Sequence, residues 1–340
     1  HPGTGGLVSG GTITAQLLYE IGSPSYLNPD VIAHFDTLNL TQEGPDRVRV
    51  TGCRGSSPPP THKVCINTKG LYRNGVEILL TGLDIEVKAE RYLEQIFHNL
   101  GGREQFEAVD VQLIRSDNPD GDSNEEAHAS LRVICSSTDP KKVGRLFHAK
   151  ITELSLATIP GNTGRGNTIG GGGASIVYWP TLIDSQRISE TLHFDGETID
   201  VLPTQRLGLP EIHYQSMPVQ LASVPEGPLV DIPFGRLFGT RSGDKGGAAN
   251  CGVWARSDEA YAFLHEFLTV EKLKALCPDI AQFNIDRYEL PNIRSLNFYI
   301  HDILGEGVSS NNRIDGQAKS FGEYLRARTI SVPAPLAKDV

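Results

Sequence analysis

The chain has 340 residues, with 31 Lys and Arg against 41 Asp and Glu and a formal net charge of −10. No dense basic run tracks a phosphate backbone, which excludes a nucleic-acid surface. A hydrophobic fraction of 39%, with 36 glycines and 21 prolines, belongs to a globular chain rich in turns and too long for one typical core. Five scattered cysteines without a C-x-x-C pair, no signal peptide and no apolar run of spanning length predict a cytoplasmic protein with no membrane partner.

The opening His1-Pro2-Gly3-Thr4-Gly5-Gly6 has no initiator Met and reads as the interior of a longer protein, and the lone His1 lacks the partners a metal needs. Ile13, Leu17 and Ile21 recur every fourth residue, which predicts a helix over Thr12–Ile21 stopped by Gly22 and Pro24. Residues Val31 to Asn67 read as strands and turns. A regular series follows: strand Val76–Leu83, helix Ile85–Leu100, strands Phe106–Ile114 and Ala129–Cys135, a helix opened by Asp139 and Pro140, and strand Ser175–Trp179. The second helix would bury Val143, Phe147, Ile151 and Leu154.

The proline-rich stretch Leu202–Pro228 carries the expected domain boundary. Beyond it come strands Val230–Phe238 and Asn250–Ala255, a helix from Ser257 to about Leu276, strands Ile285–Glu289 and Ser295–Ile303, a helix near Ala318–Arg326 and a strand Thr329–Val332. The fold class is therefore α+β: two ferredoxin-like, split βαβ sandwiches joined by a Pro-rich connection, with domains at 1–225 and 229–333. Open sheet edges make a homo-oligomer plausible.

Three glycine-rich stretches could carry chemistry. In the first, Gly5 and Gly6 precede a helix N-terminus whose free N–H groups suit a carboxylate or phosphate. The second, Gly161–Gly173, reads as a surface loop. The third, Phe238–Gly252, packs Arg241, Asp244, Lys245 and Asn250 among glycines. There Arg241 and Asn250 would hold an anionic substrate, and Asp244 would act as base or orient Lys245. A solvated charged turn is the bland alternative. Ser242 and Lys245 spell S-x-x-K, but the glycines disfavour the helix that a Ser-Lys hydrolase requires. No Walker or dinucleotide motif occurs, so no cofactor is expected. Lys63 and Lys69 read as solvent-facing lysines, and the acidic turn around Gly121 lacks calcium-loop spacing.

HPGTGGLVS, YEIGSPSYLNPDV, VRVTGCRG, GTRSGDKGGAANCGVWAR and GQAKSFGEYL resemble the corresponding stretches of the acyclic terpene utilisation (AtuA) family. The resemblance runs over essentially the whole chain. It implies that residues 1–225 are the rear part of the family's main domain, whose N-terminal part is absent, and that 229–333 are its ferredoxin-like domain. It further implies a branched acyl-CoA or related carboxylate as substrate, and the expected activity on it is that of a lyase or hydratase with the Arg241–Asn250 loop gripping the anionic group. The alternative is a noncatalytic subunit that partners an acyl-CoA carboxylase, with the site completed by the missing segment or a second chain. Where relatives often read GDKGDTAN, this chain has Gly247 and Ala248.

Overall fold

In the computed structural model, which describes residues 3–156, 159–201, 214 and 220–338 and all their side chains except those of 165–168, helix α1 (Gly10–Leu17) begins at a reciprocal cap. The Ser9 hydroxyl accepts the Thr12 N–H at 3.2 Å and the Thr12 hydroxyl accepts the Ser9 N–H at 2.9 Å. This cap starts the helix two residues before the expected Thr12, and the helix ends at Leu17, so Ile21 is buried beyond it. Next come β1 (Ser25–Leu27), β2 (Ile32–His34), β3 (Asn39–Gly44), β4 (Arg47–Thr51) and β5 (Arg54–Ser56). Strands β1, β2 and β5 form one antiparallel sheet, and β3 pairs with β4.

The series β6 (Thr61–Thr81), α2 (Ile85–Leu100), β7 (Ala108–Ile114), β8 (His128–Ser137), α3 (Arg145–Thr152) and β9 (Asn162–Asp184) gives a four-stranded sheet in the order β7-β8-β6-β9. That is the strand order of a split βαβ sandwich. Helix α2 turns Ile85, Ala89, Tyr92 and Ile96 inward against Ile78, Leu80 and Leu131, the spacing of one helical face. Helix α3 starts six residues later than Asp139. That carboxylate instead accepts the Lys141 N–H at 2.9 Å in a turn, while Val143, Phe147, Ile151 and Leu154 are buried as expected. The glycine-rich stretch expected as a loop at 161–173 is strand from Asn162 onward, because its place beside β6 supplies backbone partners that composition does not reveal.

A hairpin of β10 (Glu190–Phe194) and β11 (Glu197–Val201) follows. Most of the proline-rich connection, residues 202–213 and 215–219, lies outside the described residues. The remaining elements are β12 (Leu229–Pro233), α4 (Phe234–Leu237), β13 (Phe238–Lys245), β14 (Ala248–Ala255), α5 (Asp258–Phe267), α6 (Val270–Leu276), β15 (Ile285–Leu290), β16 (Ser295–Ile300), α7 (Phe321–Arg326) and β17 (Thr329–Pro333). The strand expected over Val230–Phe238 is interrupted by α4, which buries Phe234 and Leu237 on one side. The helix expected over 257–276 breaks at Thr269, whose hydroxyl caps α6 by accepting the Lys272 N–H at 3.1 Å.

Strands β13-β14-β16-β15 form an antiparallel sheet in which β14, β16 and β15 hold the places of the first, third and second strands of a split βαβ unit. The outer place beside β14 is taken by β13, and the last strand, β17, pairs instead with β12 in a separate ladder. The packing groups residues 1–66 with 178–340 and residues 67–177 by themselves, a grouping different from the sequence division into 1–225 and 229–333.

The larger unit owes its composition to the two faces of this sheet. Alternate residues Cys251, Val253, Leu296 and Phe298 enter the helix-side core. On the other face, Leu18 and Ile21 pack in one cluster with Leu290 and Ile293. Buried Asn250 donates to the Leu18 carbonyl at 2.7 Å and to Asn297 Oδ1 at 2.8 Å, and Asn297 donates to the Gly22 carbonyl at 2.6 Å. Gly252 makes the close approach possible, since a Cβ there would lie 2.5 Å from Leu18 Cβ.

Candidate functional site

The charged, glycine-rich stretch is a β-hairpin. Lys245 pairs with Ala248 across a two-residue turn, and Gly246 takes φ +65°, as tight hairpins that follow the strand twist require. Strand alternation sends Arg241, Gly243 and Lys245 to the face that meets residues 19–26, and Asp244 to the other. The Arg241 guanidinium lies 4.2 Å from the centroid of the Tyr19 ring and the Lys245 ammonium 5.8 Å from that of Tyr26.

Lys245 looks into a cavity of about 460 Å³. Its walls are apolar at Tyr26, Leu27, Pro59 and Leu182, hydroxylic at Ser23 and Ser25, and basic at His62, Lys63 and Lys245. None of the described lining residues is an Asp or Glu. Burial and the neighbouring Lys63 charge lower the Lys245 pKa, against the pull of Glu20. The Tyr178 hydroxyl raises that of Lys63 against its own burial, and the Tyr178 ring centroid lies 5.4 Å from the Lys63 ammonium. The result is a cavity lined by basic groups in a chain of net charge −10, with the pKa of one lysine raised and that of the other lowered.

Beside it, Lys319 binds Glu20, the Tyr19 hydroxyl at 2.5 Å and Asp244 at 3.1 Å. Burial opposes the charge of Lys319, but these three partners raise its pKa, and Lys319 in turn holds Glu20 low. The structure thus gives Asp244 to Lys319 rather than to Lys245. Arg241, exposed on the Tyr19 ring, is not among the residues lining the cavity, and Asn250 is fully buried in the bonds to Leu18 and Asn297. Gly5 and Gly6 are exposed and outside the lining. Near them the N–H of Val8 goes to Asp46 at 2.9 Å and that of Gly10 to Gln42 at 3.0 Å, so side chains already occupy donors an anion would need.

Sequence reasoning passed over Tyr26, Tyr178 and Lys319, and read Lys63 as a solvent-facing lysine; Lys63 is exposed but also lines the cavity. Two signals pointed to Tyr26 and Lys319: YEIGSPSYLNPDV supplies Glu20 and the cavity wall from Gly22 to Pro29, and GQAKSFGEYL supplies Lys319. Together with the hairpin, three separated stretches that carry the family resemblance converge here. Among the described residues, no group of three or more His, Cys, Asp or Glu could hold a metal ion, and no helix is long and apolar enough to cross a membrane.

These features define an α/β protein with a ferredoxin-like C-terminal region and a cationic, apolar-walled cavity. The profile described as acyclic terpene utilisation family protein AtuA matches residues 1–194, and that of the AtuA ferredoxin-like domain matches 232–331. The chain belongs to the acyclic terpene utilisation family. No curated protein and no solved structure matches it.

Proposed function

We propose that the protein is a lyase or hydratase that acts on a branched acyl-CoA or related carboxylic acid in acyclic terpene utilisation. The observation that carries the reading is Lys245, half-buried in an apolar-walled cavity that it shares with a second lysine and whose described lining has no carboxylate. A carboxylate or thioester oxygen bound at Lys63 would gain a charge-assisted hydrogen bond while its branched chain lies against Tyr26, Leu27 and Leu182. The lowered pKa of Lys245 favours it as a base: it takes the proton from the α-carbon, the C–H electrons form the C=C bond as the β C–O bond breaks, and the same proton passes from Lys245 to the departing hydroxyl, which leaves as water; hydration is the reverse. Asp244 acts indirectly, by fixing Lys319 and with it Glu20.

The test is exchange of substrate C–H protons with deuterated solvent, followed by proton NMR for branched acyl-CoAs and their free acids. Exchange that is lost in Lys245→Met, with binding weakened about ten- to a hundredfold in Lys63→Met, supports the assignment. Saturable binding with no exchange would make the protein a noncatalytic binding subunit, and exchange that survives Lys245→Met would remove Lys245 from the chemistry.

A further inference from the structure

A second cleft, of about 520 Å³, lies where Arg236 of α4, Arg256 just beyond β14 and Arg326 of α7 come together, with Pro233 and Gly235 in its wall and Glu323 as the lone carboxylate. The three guanidiniums differ in how they are engaged. Arg326 is held: its Nη1 donates to both Glu323 oxygens, at 2.9 and 3.1 Å, and its Nη2 to the Gly235 carbonyl at 3.3 Å. Its Nε is buried and has no hydrogen-bond partner. Arg236 and Arg256 are exposed and make no hydrogen bond or ion pair among the described residues. Three positive groups and one negative group leave this cleft with an excess of two positive charges in an acidic chain.

We propose that this cleft binds a phosphate-bearing small ligand of the pyrophosphate or nucleoside diphosphate kind, with Arg236 and Arg256 as its anion clamps. A planar guanidinium offers paired N–H donors that match two oxygens of one phosphate, and two such forks on one concavity suit a diphosphate better than a single carboxylate. The volume falls within the range of small-ligand sites. Arg326, already paired with Glu323 and held by the Gly235 carbonyl, leaves the two exposed arginines as the groups free to take the anion. The proposal is independent of the chemistry at Lys245.

The experiment is calorimetric titration of the full chain with inorganic pyrophosphate and with ADP at 150 mM salt. Saturable binding is expected, weakened tenfold or more in Arg236→Ala and Arg256→Ala, nearly as much in the Arg→Lys variants, and unchanged in Lys63→Met and Lys245→Met. Melting temperatures close to wild type would show that the arginine variants are folded, as their exposed positions predict. Absence of saturable binding, equal binding by the arginine variants, loss in the lysine variants instead, or equal capture of an acidic peptide would each overturn the proposal.

Discussion

Asn250 tests whether the residues of the hairpin bind ligand or hold the fold. Its amide donates to the Leu18 carbonyl and to Asn297 Oδ1, both in buried surroundings. Asn250→Ala removes two hydrogen bonds worth about 0.5–1.5 kcal/mol each, and strands two acceptors whose desolvation then goes uncompensated, so the loss should reach about 2–4 kcal/mol. For a unit of this size that is a fall in melting temperature of roughly 5–15 °C. The double variant Asn250→Ala with Asn297→Ala should cost less than the sum of the single changes, because one of the stranded acceptors is deleted with its residue. Scanning calorimetry of the three variants measures this directly. If Asn250→Ala melted within about 0.5 kcal/mol of wild type and lost affinity for a branched acid, the residue would belong to the ligand and the packing argument would fail.

Gly252→Ala should destabilise by about 1–3 kcal/mol, since its Cβ would press on Leu18, and urea unfolding measures the cost. Lys245 has a folded pKa below its ordinary value, so between the two the folded chain binds fewer protons than the unfolded one and stability rises with pH. Lys245→Met should therefore raise the melting temperature at pH 7, flatten the slope on the alkaline side and abolish proton exchange. Cys53 and Cys65 are exposed and should alkylate in the native protein, whereas Cys135, Cys251 and Cys277 are buried and should react only on unfolding. Burial pushes the thiols of Cys135 and Cys277 up to about 12, which suppresses the reactive thiolate; mass spectrometry after timed iodoacetamide treatment reads the difference.

Periodicity carried the helices well. Ile85–Leu100 was legible because a four-three-four spacing of apolar residues needs no distant partner to be recognised. The stripe Val143, Phe147, Ile151 and Leu154 was equally legible, although the Asp139 turn hid where the helix starts. What local pattern could not show was pairing. The Gly161–Gly173 stretch is a strand because β6 runs beside it, and the last strand leaves the main sheet because β13 holds its place. The same holds at the site. Lys245 stood out through its setting among glycines, but its company, Lys63 from β6 and Tyr26 from β1, comes from positions about 180 and 220 residues away in the chain. Asn250 looked like a ligand group because a polar residue beside charges does, until its register on β14 placed it under Leu18.

The Asn250–Leu18 bond spans 232 residues, and Asn292 reaches the carbonyls of Leu38 and Phe35 across 254 and 257. At about 5–20 residues per second, a ribosome needs roughly 10–50 s to make the chain between such partners. During that interval residues 67–177 can close their own sheet, while Leu18, Ile21 and Leu38 wait with their apolar faces in water. The segment that walls the cavity is thus made early and finishes folding late, and a ribosome stalled before β14 would hold the smaller unit folded with the cavity not yet formed.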